Sequence, residues 1–240
     1  ICYNEFGDDK DIEKLISLFQ EISGQNISDI VLDLRYNPGG YVTTSQVLST
    51  NLAPQDAMGQ VFLKMAYNDK INRTDEIKFE SGHLANGSTL PYGNLYVITS
   101  GNTASASEIV INCLKPYMGN RIIQVGTATF GKNVAQQLFT DEQRAPMLEF
   151  WLTNSLLSNA EDFSDYYTNG LEPDYNISEN LKGELGELGT AQDSLMIPIL
   201  YHIENGSFPV NEDENASRGI GNTEHLRSSI DLKPKAAIIK

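Results

Sequence analysis

Asn94-Leu-Tyr-Val-Ile-Thr-Ser-Gly-Asn-Thr-Ala-Ser-Ala-Ser-Glu108 is the stretch whose reading organises the rest of the chain. Leu95 to Ile98 is an apolar run that reads as a buried strand. A Gly/Asn/Thr turn follows, and small residues then open a helix expected over about 105–117. This layout sets Ser105 at a helix N-terminus, on a sharp strand-to-helix connection. Free backbone N–H groups and the positive end of the helix dipole favour developing negative charge there. A nucleophilic serine and an oxyanion could both use such a place. The same residues also fit a capping box, with Ser105 starting the helix and Glu108 reaching back to it. The residues alone leave both readings open.

Upstream, residues 1–6 read as a short strand. Residues 9–23 carry Ile12, Leu15, Ile16, Phe19 and Ile22 at the spacing of an amphipathic helix, which Gly24 ends. Asp29 to Arg35 reads as an inner strand. Strand, helix and strand with short joints predict a βαβ unit, hence a mostly parallel sheet flanked by helices. Asn37-Pro-Gly-Gly40 closes the strand, and 43–52 read as the next helix. Two glycines at the C-terminal end of a parallel strand allow close backbone approach to a ligand, or simply make a tight turn.

Downstream of the strands expected in 60–80, residues 81–93 read as loop. After the 105–117 helix come a strand at Arg121–Val125, a turn at Gly126–Lys132, and strands at 133–140 and 146–154. Gln192–Ile203 reads as a last helix that Pro198 should kink or shorten. The domain reading is a core over 1–204, a polar mobile loop over 205–228, and an edge strand or tail over 229–240.

The 240 residues are enough for a substantial core. A formal net charge of −15 argues against nucleic acid or an anionic membrane surface as partner. No run of 18 apolar residues is present, so no membrane-spanning helix is expected. Cys2 and Cys113 form no disulfide framework, and Cys113 reads as a buried thiol. His83, His202 and His225 lack metal-ligand spacing, so no metal or other cofactor is expected.

A hydroxyl becomes a good nucleophile when a base takes its proton, and a desolvated lysine can be that base. Lys132 follows Gly131 in a small, mostly uncharged turn between two predicted strands. An exposed loop lysine is the competing reading.

In order, Leu32-Asp-Leu-Arg-Tyr-Asn-Pro-Gly-Gly40, Thr103-Ala-Ser-Ala-Ser-Glu108 and Thr129-Phe-Gly-Lys132 with Gln136 resemble the C-terminal processing (tail-specific) serine peptidases. Asn169-Gly-Leu-Glu-Pro-Asp174 and a helix started by Asp193 look like later landmarks of that family. The resemblance runs from about residue 1 to 204. It implies a crotonase-like or Clp-protease-like α/β core, without the PDZ-like module that recognises substrate C-termini in the family. It also implies Ser105 as nucleophile, Lys132 as general base and Gln136 as its orienting partner. Lys132 and Gln136 are an even number of positions apart, which on a strand turns both to one side. The oxyanion hole implied is the Ala106 N–H with an N–H from the Gly39-Gly40 turn. Ser105 is favoured over Ser107, Glu108 stays a cap, and Asp33 with Arg35 pair structurally near the strand end. The expected partner is a protein or peptide substrate, and export to a periplasm or cell surface is what the resemblance suggests. Two other functions share these features: an idle relative binding peptides or hydrophobic ligands in the same cleft, and a crotonase-like acyl-transfer or hydratase enzyme. The second would need basic residues for an acyl-CoA, which the motifs do not supply.

Overall fold

The structure is a computed structural model that describes residues 1–141, 143–179, 186–210 and 237–239. Helix α1 (Asp9–Ile22) starts where the Asp8 side chain accepts from Lys10 N–H, and it buries Leu15 and Phe19. Strand β1 (Ile30–Asp33) then enters a four-stranded sheet, and α2 (Val42–Leu52) follows the glycine turn. β2 (Val61–Tyr67) and β3 (Thr74–Lys78) form a hairpin. The stretch of Leu95–Thr99 is strand β4, and α3 (Ala106–Met118) follows it. Next come β5 (Ile122–Gly126), β6 (Val134–Asp141), β7 (Ala145–Ser158), β8 (Tyr175–Asn176), α4 (Met196–Asn205) and β9 (Ala237–Ile239).

The first sheet has the order β1-β4-β5-β8 and is parallel throughout. Its strands are apolar on both faces because both are covered. Leu95 and Val97 join a core with Ile109, Val110 and Leu114 of α3, while Tyr96 and Ile98 pack with Met196 and Ile199 of α4. Each large apolar side chain buried this way contributes about 1.5–3 kcal/mol.

The second sheet departs from the expected mostly parallel fold. Its order is β3-β2-β7-β6-β9, and every pairing is antiparallel except β6 with β9. The connections 68–73 and 142–144 are too short for the crossover that parallel neighbours require, so these segments fold back as hairpins. Phe62, Met65, Ala135 and Leu157 carry this sheet into the α3 core.

Two further expectations change. Residues 1–6 make two isolated bridges, Cys2 to Asp33 and Phe6 to Gly40, instead of a strand. Their partners are Asp33, at the end of β1, and Gly40, the last residue of the Asn37-Pro-Gly-Gly40 turn, so no continuous ladder can run between them. Helix α4 begins at Met196, and Pro198 sits in its first turn, where a missing N–H breaks no bond. Of the expected loop 205–228, residues 211–228 lie outside the described residues, as does His225. Ala237–Ile239 is an edge strand beside β6. Among the described residues no helix is long and apolar enough to cross a membrane.

β1, β4 and β5 are adjacent and parallel, so their C-terminal ends open on one edge. The Asn37–Gly40 turn, the Ser105 turn and the Gly126–Lys132 turn all leave from there, the usual place for a site in such a sheet.

Candidate active site

Ser105 stands at φ +59° and ψ −113°, backbone that a non-glycine residue rarely adopts. Such a conformation costs about 1–3 kcal/mol and persists only where its surroundings enforce it. Thr103 Oγ1 accepts from Ser100 N–H and donates to Leu34 O, and Ala104 N–H donates to Asn37 O. Ser107 Oγ donates to the same Asn37 carbonyl at 3.0 Å, so this hydroxyl is committed to holding α3 on the β1 turn. Ser105 Oγ is buried and has no hydrogen-bond partner among the described residues. Ser105 and Glu108 stand in the capping-box arrangement, with Glu108 accepting from Ser105 N–H, while the serine hydroxyl itself forms no hydrogen bond among the described residues.

Glu108 does more than cap. Its Oε2 accepts from Ser105 N–H at 2.7 Å and from Lys132 N–H at 2.9 Å. Its Oε1 accepts from Gly131 N–H at 2.7 Å and Thr129 Oγ1 at 2.6 Å. One fully buried carboxylate thus ties the Ser105 turn to the Lys132 turn. Burial pushes its carboxyl above the ordinary range, and the Thr129 hydroxyl with the three amides offsets part of that. Sequence spacing identified the local cap; the distant donors carry no sequence signal.

The glycine turn presses directly on Ser105. Gly39 has φ +103°, and a β-carbon there would lie 2.7 Å from Ser105 Cβ and 2.9 Å from Ala106 N. Gly39 N–H donates to Asn37 Oδ1 at 2.9 Å. The amides of Gly40 and Ala106 have no acceptor among the described residues. Gly40 itself, at φ +141°, lies against Phe6 O, where a β-carbon would be only 2.0 Å away.

Lys132 is half-buried at the end of its turn, two residues before β6. Gln136 lies on β6, where its Nε2 donates to Thr153 Oγ1 at 3.3 Å. Its Oε1 is buried without a hydrogen-bond partner among the described residues. Ser105, Lys132, Gly39 and Ala106 are therefore brought to one place by backbone contacts, and Gln136 extends it along β6.

Below the glycine turn lies a charge cluster larger than the expected Asp33–Arg35 pair. Arg35, 1% exposed, donates to Asp33, to Glu179 Oε1 at 2.9 Å and to Asp193 Oδ2 at 2.5 Å. Tyr36 OH also donates to Glu179. Burial alone would raise the Asp193 carboxyl, but Arg35 and the Gly189 and Leu195 amides outweigh it and hold it below 3.8. An arginine at the end of an apolar strand signals a buried partner, yet which distant carboxylates answer it is a matter of packing. Among the described residues no His, Cys, Asp and Glu group could hold a metal ion.

The model of peptidase family S41 matches residues 1–177. A crystal structure of a candidate S41 protease from Bacteroides fragilis superposes with a TM-score of 0.75 at 31% identity, over 85% of this chain and 54% of that one. A carboxyl-terminal-processing protease of Picosynechococcus is 34% identical over 139 residues, which is 58% of this chain and 30% of the relative. A carboxy-terminal processing protease of Bacillus subtilis is 29% identical over 125 residues, 52% of this chain and 23% of the relative. The chain spans less than a third of the length of these curated relatives. With a match over most of its length and with Ser105, Lys132 and the glycine turn on one sheet edge, the chain belongs to peptidase family S41.

Proposed function

We propose that this chain is the catalytic core of a serine endopeptidase that cuts protein substrates, in their C-terminal regions, through an acyl-enzyme. The observation that carries this reading is the Ser105 hydroxyl: buried, without a partner among the described residues, on a strained turn tied through Glu108 to the Lys132 turn. Ser105 Oγ attacks the scissile carbonyl while neutral Lys132 Nζ takes its proton. Lys132 then protonates the leaving amine as the C–N bond breaks. Water, deprotonated by the same lysine, attacks the ester, and its collapse releases the acid and restores the Ser105 O–H. Gln136 Oε1, a buried acceptor without a partner, suits the role of orienting the lysine ammonium.

The oxyanion is held by the Ala106 N–H with the Gly40 N–H. Gly39 keeps its place in that hole by shape, because its own amide is spent on Asn37 and only a residue without a β-carbon fits there. One such donor is worth about 3–4 kcal/mol in comparable sites. In this reading the parallel sheet and its helices form a crotonase-like or Clp-protease-like core, and the protein works outside the cytoplasm, as its resemblance to the tail-specific peptidases implies.

The test is hydrolysis of casein by the full-length protein, beside Ser105→Ala and Lys132→Ala. Cleavage lost in both variants is the expected result. Cleavage retained by either variant overturns the assignment of that residue. A wild-type protein that binds unfolded peptide tightly and never cuts it would be the idle relative.

A further inference from the structure

The edge of β6 beside the candidate site is occupied by a short piece of the chain's own backbone. β9 runs parallel to β6, with Ala237 opposite Ala135, Ile238 opposite Gln136 and Ile239 opposite Gln137. β6 starts two residues after Lys132, so β9 has its N-terminal end toward the Lys132 and Ser105 turns and runs away from them. β9 also lies beside α2, the helix that starts directly after the Gly39-Gly40 turn. The segment therefore adjoins both elements that lead into the site.

On the Ser105–Lys132 reading above, we propose that the β6 edge at Ala135–Gln137 docks an extended peptide substrate through the part that follows the scissile bond, and that Ala237–Ile239 holds this edge until substrate displaces it. The polarity decides which part of the substrate it is. A peptide lying parallel to β6 at Ala135–Gln137 has its preceding residues beside Lys132, so the bond that is cut comes first and the leaving segment lies on the edge. Strand addition of this kind takes its affinity from main-chain hydrogen bonds and tolerates varied side chains, as a protease for unfolded tails needs. A three-residue strand is short beside the usual five or six, so few bonds are exchanged when substrate enters. The partner class is an unstructured segment with free backbone N–H groups after the cleavage point.

The test uses the full-length chain with Ile238→Pro, and separately Ala237→Pro with Ile239→Pro, because proline removes the backbone donor. With a fluorogenic peptide, KM should fall roughly five- to tenfold at unchanged kcat, as the occupied fraction of the edge is released. In a Ser105→Ala background, labelled Ala-Ala-Ile-Ile-Lys, the sequence of residues 236–240, should bind the proline variants more tightly than the unsubstituted chain. The same peptide N-methylated at alternate residues should not compete. Unchanged KM together with equal peptide binding overturns the proposal, as does a cooperative loss of folding in the proline variants, which would make β9 a fixed part of the sheet. For the unsubstituted chain, competition by plain but not N-methylated peptide supports the proposal without any variant. Peptide binding without hydrolysis would sink the peptidase reading and spare the docking edge; hydrolysis without competition would do the reverse.

Discussion

Ser105 and Lys132 hang from one carboxylate oxygen: both backbone N–H groups donate to Glu108 Oε2, at 2.7 and 2.9 Å. The Ser105 turn and the Lys132 turn belong to different loops, and this buried acceptor sets their separation. Glu108→Gln puts an amide donor against donors already in place. It should cost about 1–3 kcal/mol per stranded group and lower casein hydrolysis steeply. Urea unfolding together with kcat checks both, and a variant as stable and active as wild type would show that the clamp is dispensable.

Ser105 and Ser107 are two positions apart and should behave oppositely. Ser105→Ala leaves no hydrogen bond broken within the described structure, so stability should hold while kcat drops by roughly 10⁶, the scale of losing a nucleophilic serine. Ser107→Ala loses the bond to Asn37 O, so about 1 kcal/mol of stability should go while cleavage persists.

Gly39→Ala combines a strained φ of +103° with a β-carbon 2.7 Å from Ser105 Cβ. The expected cost is about 1–3 kcal/mol, with activity lost because the Ser105 turn must shift. Gly24→Ala, where a β-carbon meets nothing within 4 Å, is the control and should be close to neutral in the same melting and cleavage assays.

Two carboxyls give opposite pH signatures. Asp193, held below 3.8 in the folded chain, contributes stability that is complete above that value and is lost as pH falls through its folded pKa. Asp193→Asn should flatten this acid limb and cost about 3–5 kcal/mol near neutral pH, because it removes one partner of buried Arg35. Glu108, raised above 4.5 by burial, binds its proton more tightly folded than unfolded, so its contribution falls as pH rises from 4.5 through its folded pKa. Glu108→Gln should abolish that fall. Unfolding free energies measured between pH 3 and 7 separate the two slopes.

The thiols offer a simple check of the core. Cys2 is exposed, whereas Cys113 is buried and its thiol pushed up by desolvation. A thiol-specific dye should label Cys2 rapidly in the native chain and reach Cys113 only on unfolding.

Much of this protein is legible locally. The i, i+3, i+4 spacing in residues 9–23 is helix α1, and Leu95 to Ile98 followed by Thr-Ala-Ser-Ala-Ser-Glu is the strand, turn and helix that carry Ser105. Burial periods, caps and turn glycines act within one or two turns of chain, so a short window contains their cause. The antiparallel second sheet was not legible in the same way, because apolar alternation marks a strand without naming its neighbour.

By itself, then, the sequence determined helix α1, strand β4 and the serine that starts α3, and it marked Gly39-Gly40 and Lys132 as residues of turns. Only the tertiary structure decided that Glu108 joins those turns, that Arg35 answers Glu179 and Asp193 across 144 and 158 residues of chain, and that Ala237–Ile239 lies on β6. The reason is physical: a buried charge or an open strand edge demands a partner, but many donors, carboxylates and strands along the chain could answer. Packing of the whole core selects the one that arrives.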